Sequence, residues 1–564
     1  VIAVAGIGTF EPGRITAVVG GDGAGKSTLL RALTGSTGSA HDPFGAVSTL
    51  PKERIGYQSA ASGTWLNLSV AENLQFIADS YSMPKAEAAA RTAEFLVRAG
   101  LDTVTARTAR NLSGGMRQKL GFIMAALHRP DLLLLDEPST GVDPVSRGEL
   151  WSLLSAAAAE GAAVVFSTTY LDEAERASRL YLLDAGSVLA SGTPDEVIAH
   201  TPGHVWRAET GSNEPPGSWR RGRVAYCWTA TDSRPVGFTA VTPDLETSAI
   251  AFMLERDSPA ADPSEAAPSV TARSAASPRA AASLVKAIDV TKSFGSFTAL
   301  EGVSLSVGAG EVVGLLGGNG AGKTTLMRIL LGVESTSAGS AELFGDAPTL
   351  RARRRLGYVA QGFGLYPTLT AMENLQFAAS VQGVSIPAPA VSFAGSAGRR
   401  PTVDLPLGTQ RMLAYLAASC HDPELLILDE PTSGMDPLAS VRLWGELRRR
   451  ADSGVGVLVT THNMQEAQQC DRLVMLSEGR VVAAGTLEQL TGSGASLLVE
   501  ASDWEEAFAS LTAAGLRCSL DGRALRVSGA TRAEVEEALA GVRFTLQQVP
   551  RTLEEMMGDQ PRSA

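Results

Sequence analysis

Short apolar runs closed by a glycine or a carboxylate punctuate this chain. RITAVVG (14–20) and EVVGLLG (311–317) each lead into a glycine-rich turn and then into a stretch with helical apolar spacing, which predicts strand, loop and helix in that order. LLLLD (132–136) and LLILD (425–429) are apolar at every position up to a final carboxylate, the pattern of parallel strands buried on both faces. Towards the C-terminus the pattern changes. Residues 496–549 alternate brief apolar runs (SLLVEA, LRCSL, ALRVSG, VRFTLQQV) with two helix-like stretches and read as a small α+β module. Residues 257–283 carry no aromatic and no large aliphatic residue except Val270. This Ala/Ser/Pro-rich stretch has nothing to bury and reads as a flexible linker.

The predicted elements occur twice. GGDGAGKSTLLRALTG (20–35) recurs as GGNGAGKTTLMRILLG (317–332), IGYQ (55–58) as LGYV (356–359), AENLQF (71–76) as MENLQF (372–377), and LLLLDEPSTGVDP (132–144) as LLILDEPTSGMDP (425–437). The offset is 297 from Lys26 to Lys323, 301 from Tyr57 to Tyr358 and 293 from Asp136 to Asp429. Copy two is therefore shorter between the last two landmarks, around SIPAPAVSFAGSAGRRP (385–401), whose prolines predict a broken helix. The expected organisation is a first nucleotide-binding domain at 1–203, a degenerate accessory module at 204–256, the linker at 257–283, a second domain at 284–495 and the C-terminal module at 496–564. TPDLETSAIAFML (242–254) echoes VPRTLEEMM (549–557), which makes the first module a decayed counterpart of the second. The chain opens at Val1 without a methionine, so the first domain is expected to lack its N-terminal strand.

Both glycine loops fit G-x-x-x-x-G-K-[ST] between a strand and a helix, the context the phosphate-binding loop requires. Glycines let backbone N–H groups turn towards phosphate oxygens at a helix N-terminus. The candidate ATP-binding residues are Gly20, Gly21, Asp22, Gly23, Ala24, Gly25, Lys26, Ser27 and Thr28, with Gly317, Gly318, Asn319, Gly320, Ala321, Gly322, Lys323, Thr324 and Thr325. Lys26 and Lys323 are expected at the β- and γ-phosphates, and Ser27 and Thr324 on Mg2+. Asp136 and Asp429, ending their strands, would complete the Mg2+ shell, and Glu137 and Glu430 would orient or deprotonate the attacking water. The fold class is α/β: two P-loop NTPase domains in tandem, each with a helical subdomain, followed by the small α+β module.

LSGGMRQ (112–118) then makes the sequence resemble an ATP-binding cassette (ABC) ATPase across most of both copies. In that family the signature faces the ATP held by the opposite cassette, which implies Ser113, Gly114 and Gly115 as ATP contacts. The resemblance also implies Phe294 as the adenine-stacking aromatic, Gln361 as the loop glutamine beside Mg2+, and His462 as the switch histidine. The copies differ at these positions. Copy two reads LPLGTQR (405–411), where Pro406 removes an N–H and only Gly408 remains as a phosphate contact. In copy one Thr169 stands for His462 and Ala60 for Gln361, with Gln58 two residues early. Under the family's pairing, all of these losses fall on the site built on Lys26, Asp136 and Glu137, which is expected to hold ATP. The site of Lys323, Gln361, Asp429, Glu430 and His462 is expected to hydrolyse it.

The combination of GGDGAGKS, LSGGMRQKLG and STTYLDEAE (167–175) with LPLG resembles the tandem-cassette subunits of bacterial ABC-2-type multidrug exporters. That resemblance implies ATP and Mg2+ as cofactors, separate ABC-2-type permease subunits as partners, and a cytoplasmic protein peripheral on the cell membrane. The alternative is a soluble ribosome-associated tandem cassette of the translation-factor type, which typically keeps both signatures and has a charged helical linker. Composition narrows the field further. Lys+Arg 48 against Asp+Glu 60 gives a net charge of −12, which argues against nucleic acid as a partner. The four cysteines form no CxxC pair, so neither zinc nor a disulfide framework is expected. No apolar run approaches the ~18 residues of a membrane span, and a soluble intracellular protein is expected. The arginine runs at 351–355 and 448–450 are expected on solvated faces, His128 and His421 at helix ends, and Trp65 and Tyr366 either in the core or at the docking face.

Overall fold

The structure is a computed structural model describing residues 2–4, 8–35, 50–142, 144–209, 214–215, 217–257, 283–318, 320–461, 463–491, 495–501, 503–521, 524–552 and 555–556. His462, Asn319 and residues 258–282 of the linker lie outside the described residues. The chain forms two compact units. One comprises Val1–Thr201, Asp244–Ala249 and Thr491–Ala564, and the other Pro202–Pro243 and Ile250–Leu490.

Each unit is built on a six-stranded sheet of the same design. In the first the order is Ile55–Gln58, Leu132–Leu135, Ala163–Thr168, Ile15–Val19, Arg179–Asp184, Ser187–Gly192. In the second it is Leu356–Val359, Leu425–Asp429, Gly456–Thr461, Val312–Gly317, Arg472–Ser477, Arg480–Gly485. The first five strands of each sheet are parallel and the sixth pairs antiparallel. The apolar runs are buried on both faces, as the sequence pattern requires. In the second unit Leu425 and Ile427 pack with Leu326 and Leu330 of the P-loop helix, while Leu426 and Leu428 pack with Leu443, Trp444 and Leu447 on the other face. Both P-loop strands lie inside their sheets, parallel to the carboxylate strand and separated from it by one strand, Ala163–Thr168 or Gly456–Thr461, so the ends of all three open on the side where ligands bind in open parallel sheets.

The second unit also carries an antiparallel sheet of Phe297–Gly308, Ser283–Phe294 and Ala338–Leu343. In the first unit Ile2–Val4 pairs with Gly8–Phe10. The predicted break near 385–401 is a shortened helix instead. Ala388–Ala397 spans 10 residues against 15 for its counterpart Lys85–Ala99, and Pro387 and Pro389 open it, where missing N–H groups cost nothing.

The two remaining stretches form four-stranded antiparallel sheets with one spatial order, second, third, first, fourth. These are Trp219–Arg221, Val224–Thr229, His204–Glu209, Thr239–Ala240, and Arg517–Asp521, Ala524–Ser528, Ala495–Ala501, Phe544–Pro550. Each sheet packs on the cassette other than the one that immediately precedes it in sequence. In the first unit Arg517–Asp521 lies against helix Pro144–Ala159, and Leu520 N–H donates to Ser155 Oγ at 3.0 Å. In the second unit Trp219–Arg221 lies against helix Pro437–Asp452. Arg220 pairs with Asp452, and Gly222 N–H donates to Gln469 Oε1 at 2.7 Å.

The arginines at 448–450 correct the sequence reading. Arg448 and Arg450 are buried, pairing with Asp471 at 2.9 Å and Asp422 at 2.7 Å. A charge run on a helix says nothing about acids supplied from other elements. Trp65 and Tyr366 are outside the core, 41% and 48% exposed, each ringed by one phenylalanine, Phe76 at 4.3 Å and Phe377 at 4.9 Å. Among the described residues no helix is long and apolar enough to cross a membrane.

Candidate functional site

The glycine loops take one shape in both units. Gly23 and Gly25 have φ of 81° and 101°, and Gly320 and Gly322 have 82° and 99°, the left-handed region a side chain disfavours. The loops also need glycine where each strand ends. A Cβ on Gly20 would lie 2.3 Å from the Leu183 carbonyl oxygen, and one on Gly317 would lie 2.5 Å from that of Leu476. Gly25 and Gly322 then cap the helices Lys26–Leu33 and Lys323–Leu330, leaving the first N–H groups free of side-chain caps and open to an anion. The lysine heads fold back over the loop. Lys26 Nζ donates to the Gly20 and Gly21 carbonyls at 2.9 and 3.0 Å, and Lys323 Nζ to those of Gly317 and Gly318 at 2.6 and 3.0 Å.

The carboxylate strands bring the second half of each site. In the first unit Ser27 Oγ donates to Asp136 Oδ1 at 2.9 Å, and Ser167 Oγ donates to the same oxygen at 2.7 Å. A hydroxyl and a buried carboxylate converging at the P-loop helix are the protein donors that Mg2+ takes alongside phosphate oxygens and water, so these residues fit the ion. In the second unit buried Asp429 accepts from Thr460. Burial holds the Asp429 carboxyl above the ordinary aspartate range against the hydrogen bond from Thr460. The Glu430 carboxylate adds to this, and nearby Lys323 opposes it. Such a carboxylate suits a cation.

Glu137 and Glu430 follow these aspartates with φ of 47° and 49°. Side chains rarely adopt that backbone, and both copies keep it. Their side chains have different partners. Glu137 Oε1 is 3.1 Å from Lys26 Nζ, and its Oε2 accepts from Thr140 Oγ1 at 3.2 Å. Glu430 Oε2 accepts from Gln361 Nε2 at 3.2 Å, so the predicted loop glutamine and glutamate do meet. In the first unit Gln58 makes no such contact. It is 1% exposed on its strand, and its Nε2 donates to Gln118 Oε1 at 2.6 Å, towards the signature helix.

The signatures differ in local structure as well as sequence. Ser113 caps helix Gly114–Ala126, accepting from Met116 N–H at 3.2 Å. Pro406 holds the same position before Leu407–Ser419 with no side chain to offer, and a Cβ on Gly408 would lie 3.1 Å from Ala439 Cβ. Phe294 is 49% exposed at the end of its strand, with Lys292 Nζ 5.0 Å from its ring centre. Asp22 is exposed on its loop and Thr324 on the first turn of its helix, while Ala24 and Ala321 are buried.

The sequence reading missed Ser167 and Thr460. They stand at the 293 offset inside the apolar strands VVFST and VLVTT, and each hydroxyl holds its aspartate and caps the following glutamate's N–H, at 2.8 Å for Glu137 and 3.1 Å for Glu430. A hydroxyl inside a buried strand, repeated beside both aspartates, was the available signal.

Comparison with known proteins agrees with this geometry. The ABC transporter family profile matches residues 8–140 and 300–433. The probable multidrug ABC transporter ATP-binding protein YbhF of Escherichia coli K12 is 34% identical over 549 residues, covering 89% of this chain and 93% of the relative. The Nod factor export ATP-binding protein I of Burkholderia orbicola is 40% identical over 217 residues, covering 36% of this chain and 71% of the relative. The solved structure of the RNase-L Inhibitor superposes with a TM-score of 0.57 at 17% identity, over 94% of this chain and 95% of that one, a likeness of fold. With two cassettes matched in tandem, and a relative aligned along nearly the whole chain, the protein is a tandem-cassette ATPase of the ABC transporter family.

Proposed function

We propose that this chain energises export through separate ABC-2-type membrane permeases from the cytoplasmic face of the membrane, and that its two ATP sites are unequal. The observation that carries the inequality is the contact of Gln361 with Glu430 at 3.2 Å, set against Gln58 buried towards Gln118. In this reading Lys323 holds the β- and γ-phosphates, and Gln361 fixes one oxygen of Glu430. The other oxygen orients the attacking water and receives its proton. Thr324, Asp429 and Gln361, or Ser27 and Asp136 in the first cassette, would hold Mg2+, which would supply positive charge against the phosphate oxygens. By the family's pairing rule Ser113, Gly114 and Gly115 complete the hydrolytic site, with His462 as the switch, and Phe294 stacks on its adenine. The site of Lys26 and Glu137 is met by the segment bearing Pro406 and Gly408, and mainly holds nucleotide.

The export reading rests on the YbhF relative and on the exposed aromatics beyond each loop, where the family meets its permease. In the second cassette Tyr366, Phe377 and Val381 line a groove of about 430 Å3 suited to an apolar helix end. Two experiments test the proposal. Glu430→Gln should abolish most turnover and Glu137→Gln should leave most of it, so equal losses would refute the asymmetry. Affinity capture from cells should recover a multi-span partner from detergent-solubilised membranes. Co-sedimentation with ribosomes and no membrane partner would replace export with the ribosome-associated alternative.

A further inference from the structure

Of the residues expected to reach an opposite nucleotide, the segment 405–411 retains only Gly408, yet it carries one buried cation. Arg411, 7% exposed on helix Leu407–Ser419, donates from Nη1 to the main-chain carbonyl of Glu430 at 2.6 Å. Its guanidinium carbon also lies 4.8 Å from the ring centre of Phe363, two residues beyond Gln361 on the same loop. One side chain thus touches both the strained residue whose carboxylate orients water and the loop whose glutamine holds that carboxylate. A charged donor on a carbonyl is among the stronger hydrogen bonds, and a guanidinium over a ring is attractive.

The first cassette shows that these contacts are a matched set. The 293 offset puts Gln118 where Arg411 stands, and the 301 offset puts Gln58, Ala60 and Ser62 where Val359, Gln361 and Phe363 stand. Ser62 and Phe363 share one backbone shape, with φ of 68° and 67°, so the loops are comparable. There Gln118 accepts from Gln58 at 2.6 Å and donates to the Ala60 carbonyl at 3.1 Å. The helix residue braces the loop in both cassettes, and its bond to the glutamate's carbonyl belongs to the cassette with the loop glutamine.

We infer that Arg411 is a positioning residue for hydrolysis, holding Glu430 and the Gln361 loop in their reactive relation from within the same cassette. The inference rests on the reading of Glu430 as the water-orienting carboxylate. The segment whose contacts to the opposite site are reduced to Gly408 thus serves its own site.

The test uses the full chain and steady-state MgATP hydrolysis. Arg411→Gln installs the first cassette's residue, and Arg411→Met keeps the stem that packs on Phe363 without its donors. Both should lower kcat about 10- to 100-fold with KM within twofold, the scale of a slightly misplaced catalytic group. Arg411→Lys, which keeps a charged donor, should recover kcat to within about fivefold of the native value. In a Glu430→Gln background the Arg411 substitutions should cost nothing further, because a residue acting through Glu430 is coupled to it and a merely structural one is not. Native kcat in a folded Arg411→Gln or Arg411→Met variant, or additive losses with Glu430→Gln, would overturn the inference. If Glu430→Gln itself retained full turnover, the assignment of the hydrolytic site would fail first, and the two failures are distinguishable.

Discussion

At the scale of single residues the demands of the site are steric and electrostatic. Gly317→Ala would bring a methyl to within 2.5 Å of the Leu476 carbonyl and 3.1 Å of Ala321 Cβ. The loop must shift, and stability should fall by about 1–3 kcal/mol together with nucleotide affinity in the second cassette. A thermal melt and an ATP titration check this. His128 gives a pH dependence. It stacks on Tyr81 at 3.7 Å, and burial, with a smaller push from Arg91, lowers its pKa to about 4. The folded state therefore refuses a proton that the unfolded chain accepts near pH 6.5. Stability from this group is complete above that pH and is lost as pH falls towards 4. His128→Gln should remove on the order of 1 kcal/mol of that acid sensitivity, read as a shallower fall of the melting midpoint between pH 7 and 5. The P-loops, aspartates and glutamates were legible in the sequence because each is a fixed pattern beside a fixed element. Arg411, Ser167 and Thr460 were not, because their importance lies in a carbonyl or carboxylate contributed from another part of the chain.

At the scale of elements, caps distinguish the two signature helices. Ser113 and Pro406 have similar backbone angles, φ −63°, ψ 164° and φ −53°, ψ 145°, so a serine fits either position. Pro406→Ser should add an N-cap and raise stability by about 0.5–1 kcal/mol, whereas Ser113→Ala should lose a similar amount. Denaturant unfolding of the two variants checks the pair, and a Pro406→Ser variant less stable than the native chain would contradict it. The helix at 388–397 shows the limit of reading breakers from sequence. Prolines were legible as a boundary, but a boundary at the first turn starts a helix as well as ending one. Capping boxes at Ser69–Glu72 and Thr370–Glu373 recur at the head of matching helices, so the duplicated AENLQF and MENLQF blocks keep their entry geometry as well as their apolar faces.

At the scale of the whole molecule the duplication of the cassettes was legible, and the two accessory sheets share one strand order. Which cassette each module packs on was not legible, since no local pattern links Leu520 to Ser155 or Arg220 to Asp452. Each unit is assembled from separated stretches of chain. A site-specific protease sequence inserted between 257 and 283 should therefore yield halves that stay together on size exclusion, each keeping the other's module. Separation into two independent halves would refute that arrangement. The exchange also sets an order in time. The first cassette leaves the ribosome early, but its unit is finished only by Thr491–Ala564, some 290 residues after Thr201. At about 5–20 residues per second, that is a wait of roughly 15–60 s. A newborn first cassette spends it with the face of helix Pro144–Ala159 uncovered, so loss of the C-terminal end should weaken the domain at the opposite end of the sequence.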